Sequence, residues 1–234
     1  MPDDPNHTAD IDDAGAPSYR GKRLLDLAVA VPAFVLTAPL LLAAAIAVRI
    51  RLGRPVLYRQ TRLGQHGRPF EILKLRTMSN DRGPDGHLLP DSERLGPLGR
   101  TLRRASLDEL PQLWNVIRAE MSIVGPRPLP AVYLERYTAH QARRLDAMPG
   151  ITGLAQVSGR NQTDWTTRLD LDVAYTERAS LRLDLGIIAR TLPTVFTTRG
   201  ITASGHATMP EFTGETTPAT EPPDESDETP RAPH

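Results

Sequence analysis

One uncharged apolar segment dominates the pattern of hydrophobic and polar positions in this chain of 234 residues. It covers residues 27–48, a run of 22 residues. As a straight helix such a run measures about 33 Å, enough to cross the hydrocarbon core of a membrane. Pro32 and Pro39 lie inside it, and each would bend the helix axis. Two interpretations stay open: a helix that spans the membrane, and a re-entrant helix that dips into one leaflet and returns.

The polar residues on either side of this segment are candidates for the membrane interface. Lys22 and Arg23 precede it, and further arginines follow it, so both ends suit anionic headgroups. Asp26 comes three to four residues later, a spacing that allows an ion pair on a helix. A generic first-turn acid is the alternative for Asp26. With Pro39 at the bend, these residues mark a predicted membrane segment over residues 20–54.

A β-hairpin is predicted directly after the membrane segment. Strand-like stretches at 55–60 and 70–76 flank a connection that contains Gly64 and Gly67. In the second stretch Lys74 shares one strand face with Arg76, and this pair of cations could hold a phosphate. A solvated strand face is equally compatible with the pattern.

Helical periodicity governs most of the remaining chain. The last predicted helix is mostly apolar and fits either the protein core or the membrane interface. Residues 55–200 are therefore predicted to form one mainly α domain with a small hairpin, an α+β fold. The predicted elements are a long loop at 79–99, helices at about 108–118, 130–147, 163–179 and 184–197, and a strand at 151–157.

The charges separate the body of the chain from its ends. The formal net charge is zero, but residues 20–200 carry a net charge of +11 because the acids concentrate in the two tails. A body this basic predicts a polyanionic partner: anionic lipid, nucleic acid or a phosphate-bearing substrate. Aromatic residues are only 5% of the chain, which disfavours nucleic-acid binding by base stacking. The acidic stretches 1–19 and 201–234 lack apolar periodicity and are predicted to be disordered tails.

Two adjacent carboxylates between arginines form the candidate chemical site. Asp108 and Glu109 follow Arg103 and precede Arg127. A helix is predicted to start here, either with Asp108 as N-cap or with Ser106 as N-cap and Glu109 as its capping-box partner. In both cases the helix dipole would favour ionised carboxylates. Taken alone, such a pair is more typical of a helix cap than of catalysis.

A basic turn at residues 125–128 follows the carboxylates. Gly125, Pro126 and Pro128 surround Arg127. Because prolines fix the backbone, this turn would hold one guanidinium in place, an arrangement suited to phosphate recognition. A rigid turn with a solvated arginine is the alternative.

Several motifs in this order resemble those of the bacterial sugar transferases, the monotopic phosphoglycosyl transferases. The resemblance covers about residues 20–197. One departure is Ala38-Pro39, where the family often has Ser-Pro, so we expect a shallower bend in the membrane helix. The motifs that carry the resemblance are 22–26, 73–78, 102–103, 106–112, 124–128 and 149–160.

The resemblance implies the transfer of a sugar-1-phosphate from a UDP-sugar to polyprenol phosphate, with release of UMP. It implies a re-entrant membrane helix at the cytoplasmic face of the bacterial plasma membrane. Asp108 corresponds to the nucleophile that forms an aspartyl-phosphosugar, with Glu109 as the second acid of the dyad. Magnesium is implied at the dyad, with Asp108 as its ligand. We expect no nucleic-acid partner, and the oligomeric state stays open with a homodimer as one candidate.

The resemblance also implies substrate contacts. Lys74 corresponds to a residue near the nucleotide, and Arg103 and Arg127 correspond to phosphate-binding residues; Gly125 and Pro126 belong to the same turn. One alternative is a membrane-anchored basic adaptor that binds anionic lipid or nucleic acid without catalysis. Another is a transferase of this fold that transfers a bare sugar, for which the product would be UDP.

Overall fold

The computed structural model describes residues 19–158, 164–196 and 212–214. The predicted disorder of the two tails and the predicted turn after Ser158 lie almost entirely outside these residues. Within them the chain is mostly helical and has two small two-stranded sheets. The mainly α fold with a small sheet content is therefore confirmed.

The described ranges contain eight α-helices and four strands, with short 3-10 helices between them. The elements are α1 (Lys22–Arg51), β1 (Leu57–Leu63), β2 (Pro69–Leu75), α2 (Asp91–Arg94), α3 (Pro97–Arg104), α4 (Gln112–Ile117), β3 (Ser122–Val124), α5 (Ala139–Ala142), β4 (Gly150–Thr152), α6 (Leu154–Ser158), α7 (Trp165–Arg178) and α8 (Leu181–Phe196). The 3-10 helices are Gln65–Gly67, Leu107–Glu109, Ala131–Arg136 and Arg143–Asp146.

The predicted hairpin is present. β1 and β2 pair antiparallel, with Tyr58 opposite Lys74 and Arg62 opposite Phe70. β3 and β4 pair in parallel and form the second sheet. The helices predicted for 163–179 and 184–197 are also present, as α7 and α8.

Helix α1 is continuous over 30 residues and contains both prolines. Its mean hydropathy reaches 2.3, and among the described residues it is the one helix long and apolar enough to cross a membrane. Only 11% of its most apolar window is buried inside the protein. Thr37, beside Ala38, donates its hydroxyl to the carbonyl of Ala33 at 2.7 Å. Hydroxyl bonds of this type bend helices. Thr37 therefore favours a bend in α1 next to Pro39, which the side chain of Ala38 cannot do.

Both ends of α1 pack against the same body of the protein. Near its start, Ala30 is fully buried in the main core beside Val116 of α4. Near its end, Val48 is fully buried with Leu75 and Leu102 in a second core cluster. The middle of the helix has an exposed apolar surface that includes Val35, Leu36, Leu40 and Leu42.

Helix α8 lies partly in the protein core and partly at the surface of the protein. Ile187 is buried in the main core. Leu181, Leu185 and Leu192 are about half exposed. One side of α8 therefore belongs to the core, and another presents leucines outward.

The region predicted as a long loop contains α2 and the start of α3. Pro97 opens α3 at the first helical position, where its missing N–H has no cost. Gly99 follows, and a Cβ there would lie 1.9 Å from the carbonyl oxygen of Thr77. The prolines and glycines of this region thus shape a helix that packs closely on the chain after β2, as well as a loop.

Two further predicted elements are shorter than expected. The predicted helix over 130–147 is broken because Thr138 starts a new helix in a capping box with Gln141. The predicted strand over 151–157 ends at Thr152, and Leu154 begins α6. In both cases periodicity identified an ordered stretch but overestimated the length of the element.

Part of the acidic C-terminal region is packed in the protein. Phe212 is buried among the rings of Tyr133, Tyr137 and Trp165. Its N–H donates to the hydroxyl oxygen of Tyr133 at 3.1 Å, and Arg136 donates to its carbonyl oxygen. The prediction of a disordered tail is therefore wrong at residues 212–214.

Candidate active site

The two carboxylates lie in the 3-10 helix that connects α3 to α4. Ser106, which precedes this turn, has a φ of 54° and makes no capping hydrogen bond. Helix α4 begins only at Gln112, with Pro111 as its N-cap residue. Neither predicted cap forms, because Asp108 is inside the turn and the Glu109 carboxylate points to cations instead. The predicted capping roles of Asp108, Ser106 and Glu109 are therefore wrong.

Glu109 is the centre of an ion-pair cluster. Its Oε1 accepts hydrogen bonds from Lys74 Nζ at 2.6 Å and from Arg127 Nη2 at 2.8 Å. Burial raises the pKa of Glu109, but Arg127 and Lys74 together more than offset this and hold it far below its usual range. Glu109 is thus a permanent anion that draws together cations from β2 and from the basic turn. The Arg127 side chain stays 45% exposed, so this cluster is open to a ligand.

Asp108 has the opposite electrostatic environment. It is 8% exposed. Burial and then the charge of Glu109 raise its pKa, while Lys74 and Arg103 act to lower it. Adjacent carboxylates whose pKa values move apart are a common feature of catalytic pairs, since they can take different roles.

Asn115 fixes the distance between Lys74 and the dyad. This buried side chain accepts a hydrogen bond from Leu73 N–H at 3.1 Å and donates to the carbonyl of Glu71 at 2.7 Å. It therefore attaches α4 to β2 at two positions just before Lys74. Asn115 was not identified from the sequence. Its only signal was a polar residue within a helix that is otherwise rich in apolar side chains.

The other cation predicted on the face of β2 has a different role. Arg76 donates to the carbonyl oxygens of Leu52 and Arg54, and so holds the segment after α1 against the end of β2. The prediction of a phosphate grip by Lys74 and Arg76 together is wrong, since only Lys74 reaches the dyad.

Arg103 approaches the dyad from α3. Its Nε donates to Thr77 Oγ1 at 3.0 Å, and its charge lowers the pKa of Asp108. Arg103 makes no ion pair with the acids of the described ranges, so its positive charge is not neutralised by a direct carboxylate contact.

Gly125 and Pro126 are buried and hold the basic turn. The Gly125 N–H donates to the carbonyl of Thr152 at 2.9 Å, and the Pro126 carbonyl accepts from Gly150 at 2.9 Å. A Cβ on Gly125 would lie 2.1 Å from the Met148 carbonyl oxygen, so only glycine allows this approach. A direct phosphate contact from Gly125 is not supported, because its N–H is already used. These two residues position Arg127 instead.

A buried ion pair supports the same turn from behind. Arg144 is 2% exposed and donates to Asp172 Oδ2 and to the Arg127 carbonyl, both at 2.6 Å. The sequence predicted Arg144 inside one continuous helix over 130–147. That expectation is wrong because the helix ends before Arg144, and the 3-10 turn directs its guanidinium toward α7.

The residues predicted at the membrane interface make many contacts within the protein. Lys22 Nζ is 2.5 Å from Asp184 Oδ2 and donates to the Val124 carbonyl at 2.9 Å. The predicted ion pair with Asp26 is present at 3.6 Å. Asp26 is nevertheless buried and accepts from the Ile123 N–H at 3.0 Å, so it holds β3 and does not face a headgroup.

Arg23 and Pro39 complete this set. Arg23 donates to the carbonyl oxygens of Val116 and Ile117 at 2.5 and 2.7 Å, at the end of α4. Cations commonly stabilise such helix ends. Pro39 is exposed within the apolar middle of α1. Of the four residues, Pro39 has the clearest exposure to a surrounding membrane.

The donor set at the dyad is compatible with magnesium in one binding mode. The part of the chain that the structure describes contains no group of three or more side chains arranged to hold a metal ion. Glu109 already binds two cations, which leaves Asp108 as the carboxylate of the dyad that could act as a ligand. Mg²⁺ is often bound by one or two carboxylates together with water and substrate phosphates. Asp108 fits that role.

Comparison with known proteins gives the same family. The family model described as bacterial sugar transferase matches residues 18–198. The sugar transferase EpsL of Bacillus subtilis is 46% identical over 193 residues, which cover 82% of this chain and 96% of that protein. The UDP-glucose:undecaprenyl-phosphate glucose-1-phosphate transferase of Caulobacter vibrioides is 46% identical over 187 residues, with 76% and 70% covered. The exopolysaccharide production protein ExoY of Sinorhizobium fredii is 39% identical over 196 residues, with 76% and 87% covered. The chain therefore belongs to the bacterial sugar transferase family.

Proposed function

We propose that this protein transfers a sugar-1-phosphate from a UDP-sugar to undecaprenyl phosphate or a related polyprenol phosphate, and releases UMP. The step would begin polysaccharide or glycoconjugate assembly at the cytoplasmic face of the bacterial plasma membrane. The name of the relative from Caulobacter vibrioides, a UDP-glucose:undecaprenyl-phosphate glucose-1-phosphate transferase, supports this reaction class. The observation that carries the proposal is the dyad itself: a buried Asp108 beside an ion-paired Glu109, surrounded by cations that suit phosphates.

In the first half-reaction a carboxylate oxygen of Asp108 attacks the sugar-bearing phosphorus of the UDP-sugar. A bond forms between that oxygen and phosphorus, and the bond from phosphorus to the bridging oxygen of UMP breaks. UMP leaves with the electron pair. A carboxylate can serve as such a nucleophile because it divides one difficult transfer into two steps. Lys74, Arg103 and Arg127 stabilise the charge on the transferring group.

In the second half-reaction a phosphate oxygen of the polyprenol phosphate attacks the same phosphorus. The bond to Asp108 breaks, and the free carboxylate is restored. The product is a polyprenyl diphosphate sugar. Glu109 stays an anion in both steps and keeps Lys74 and Arg127 in position.

Magnesium, bound by Asp108 and substrate phosphates, would reduce the repulsion between an anionic nucleophile and an anionic substrate. Burial raises the pKa of Asp108, and Lys74 and Arg103 are the cations that favour its ionised form.

A re-entrant α1 is part of the proposal. A spanning helix would place its two ends on opposite sides of a hydrocarbon core about 30 Å thick. One water-soluble body could not then contact both ends, as Ala30 and Val48 do here. The exposed leucines of α1 and α8 would lie in the same leaflet, where the phosphate of a long isoprenoid substrate is presented.

Replacement of Asp108 by asparagine tests the reaction. We expect Asp108→Asn to lower UMP release by about a thousandfold or more, since loss of a covalent nucleophile has effects of that size. The assay uses purified protein in lipid nanodiscs with polyprenol phosphate, Mg²⁺ and a panel of UDP-sugars. UDP as the product would favour transfer of a bare sugar. Wild-type turnover in Asp108→Asn would reject the nucleophile assignment.

A further inference from the structure

Arg62 is brought close to the dyad by the register of the hairpin. Tyr58 pairs with Lys74, and alternate residues of β1 share the same face, so Arg62 lies on the face that carries Lys74. Arg62 Nη1 is 3.4 Å from the Pro128 carbonyl oxygen, one residue beyond Arg127. An isolated antiparallel bridge between Arg62 and Pro130 strengthens this contact. The end of β1 is thus joined to the basic turn.

The bonding of Arg62 is incomplete. Its Nη2 donates to Gln60 Oε1 at 2.6 Å, an uncharged acceptor. Its Nε is buried without a hydrogen-bond partner, and Arg62 has no carboxylate partner in the described ranges. Burial lowers the pKa of Arg62, and the nearby Arg127 lowers it further. A half-buried guanidinium beside a second arginine is unfavourable unless an anion joins them.

The charges around the dyad show the same imbalance. Four positive charges surround the dyad, from Lys74, Arg103, Arg127 and Arg62. The dyad itself provides at most two negative charges, from Asp108 and Glu109. The surplus is two positive charges. The diphosphate of a nucleotide-sugar carries two negative charges at neutral pH, so such a ligand would balance the site.

We infer that Arg62 is a phosphate-binding residue of this site, which contacts a substrate phosphate from the hairpin side while Arg127 contacts it from the basic turn. The inference rests on the proposed function, since it names a further residue for the same substrates. Two sources supply this chemistry: the diphosphate of the UDP-sugar and the phosphate of the polyprenol. In either case a guanidinium fork offers paired N–H donors to phosphate oxygens.

The chain provides a matched control for Arg62 on the same strand. Arg59 lies three positions earlier on the opposite face and forms an exposed ion pair with Glu71 at 3.2 Å, with side chains 63% and 59% exposed. Arg59→Gln and Arg62→Gln make the same chemical change in the same hairpin. Only the second removes a charge beside Arg127.

The experiment measures KM and kcat for both substrates with full-length protein in nanodiscs. We expect Arg62→Gln to raise one KM by about tenfold or more, because a hydrogen bond to a charged group contributes at least that much. The KM that rises identifies the source: UDP-sugar or polyprenol phosphate. Arg59→Gln should stay within about twofold of wild type. Arg62→Lys, which keeps the charge but loses the fork, should lie between Arg62→Gln and wild type.

Three outcomes overturn the inference. The first is unchanged KM values in a folded Arg62→Gln protein whose wild type is active. The second is a fall in melting temperature together with KM values that are no closer to wild type in Arg62→Lys than in Arg62→Gln. Arg62 would then be a purely structural support for the Pro128 carbonyl. If Arg62→Gln does not fold, wild-type KM values in Arg62→Lys overturn it. An inactive wild type rejects the proposed function, and so is distinct from all three.

Discussion

Two clusters of charged residues in this protein are built from similar side chains but differ in how completely they are satisfied. The anchor cluster joins the start of α1 to α8 and consists of Asp184, Lys22, Tyr19 and Tyr175. The dyad cluster lies between β2, α3 and the basic turn and consists of Asp108, Glu109, Lys74, Arg103 and Arg127. Each contains a carboxylate that collects donors from distant parts of the chain.

The anchor cluster is internally complete. Asp184 is fully buried and accepts from Tyr19 at 2.8 Å, Tyr175 at 2.9 Å and Lys22 at 2.5 Å. Burial, together with Asp184, raises the pKa values of both tyrosines, so their hydroxyls remain protonated donors. Lys22 also lies near Asp26, so acids outnumber the base. Nothing in this cluster calls for an additional anion.

The dyad cluster is different because positive charge exceeds negative charge and part of it is exposed. Glu109 satisfies Lys74 and Arg127, but Arg103 has no carboxylate partner in the described ranges. The comparison indicates that the charged groups of a structural cluster are paired with one another, whereas a functional cluster keeps positive charge without a carboxylate partner. Substitutions in the anchor cluster should therefore affect stability first, and substitutions in the dyad cluster should affect turnover first.

The largest expected effect is on stability, in the anchor cluster. Asp184→Asn leaves Lys22 and two tyrosines with a weaker acceptor in a buried site. Breaking a buried ion pair in this way costs about 3–5 kcal/mol. For a chain of this size we expect a fall in melting temperature of roughly 6–20 °C. Thermal unfolding in detergent measures it.

Asp170 provides the control for that substitution. It lies exposed on α7, with His140 at 3.3 Å. Asp170→Asn makes the same change at a surface pair and should shift stability by about 0.5 kcal/mol or less. Equal shifts for the two variants would contradict a structural role for the anchor cluster.

The next effect is on turnover, in the dyad cluster. Glu109→Gln keeps the shape of the side chain but removes the charge that Lys74 and Arg127 share. We expect kcat to fall by about a hundredfold, as for the loss of a well-placed electrostatic group, with a much smaller change in melting temperature than for Asp184→Asn. The opposite ranking of the two variants would remove the distinction between the clusters.

The pH profile gives a second view of the same variant. Burial lowers the pKa of Lys74, and Glu109 is the main influence that raises it. Without that charge the pKa of Lys74 falls further, so the ammonium is lost at a lower pH. The residual activity of Glu109→Gln should therefore decline at lower pH on the alkaline side than wild-type activity does. An alkaline limb at the wild-type position would show that Lys74 is not the group that titrates.

The smallest expected effect separates Arg103 from its neighbour. Arg103 contacts Thr77 near Asp108, whereas Arg104 is exposed on the same helix. Arg103→Gln should raise the KM for UDP-sugar by about tenfold, and Arg104→Gln should change it by less than twofold. Liposome binding should be the same for both variants. A basic adaptor would instead lose liposome binding equally in both, with no effect specific to position 103.

Local patterns were sufficient to predict several parts of this fold. The hairpin, α7 and α8 follow from alternation and helical spacing. Asp108, Glu109, Lys74, Arg103 and Arg127 were all candidates, and the structure brings them together. Their convergence could be expected from motif order through the family resemblance, but not from the spacing of the residues alone.

The supporting residues could not be predicted because their roles depend on contacts between distant segments. Asn115 acts through β2, 42 residues away along the chain at Leu73. Arg144 pairs with Asp172 across 28 residues, and only the break in its helix turns it inward. The raised pKa of Asp108 could not be predicted for the same reason, since it depends on burial and on the charge of Glu109.

The most direct test of the account is the chemistry of Asp108 in the absence of the lipid acceptor. Wild-type protein is mixed with UDP-sugar and Mg²⁺ without polyprenol phosphate, and the protein is analysed by intact mass and peptide mapping. We predict a burst of UMP of up to one equivalent per enzyme, and a sugar-phosphate adduct that maps to Asp108 and disappears when polyprenol phosphate is added. UMP release that requires the lipid from the start, with no adduct on Asp108, would contradict the account.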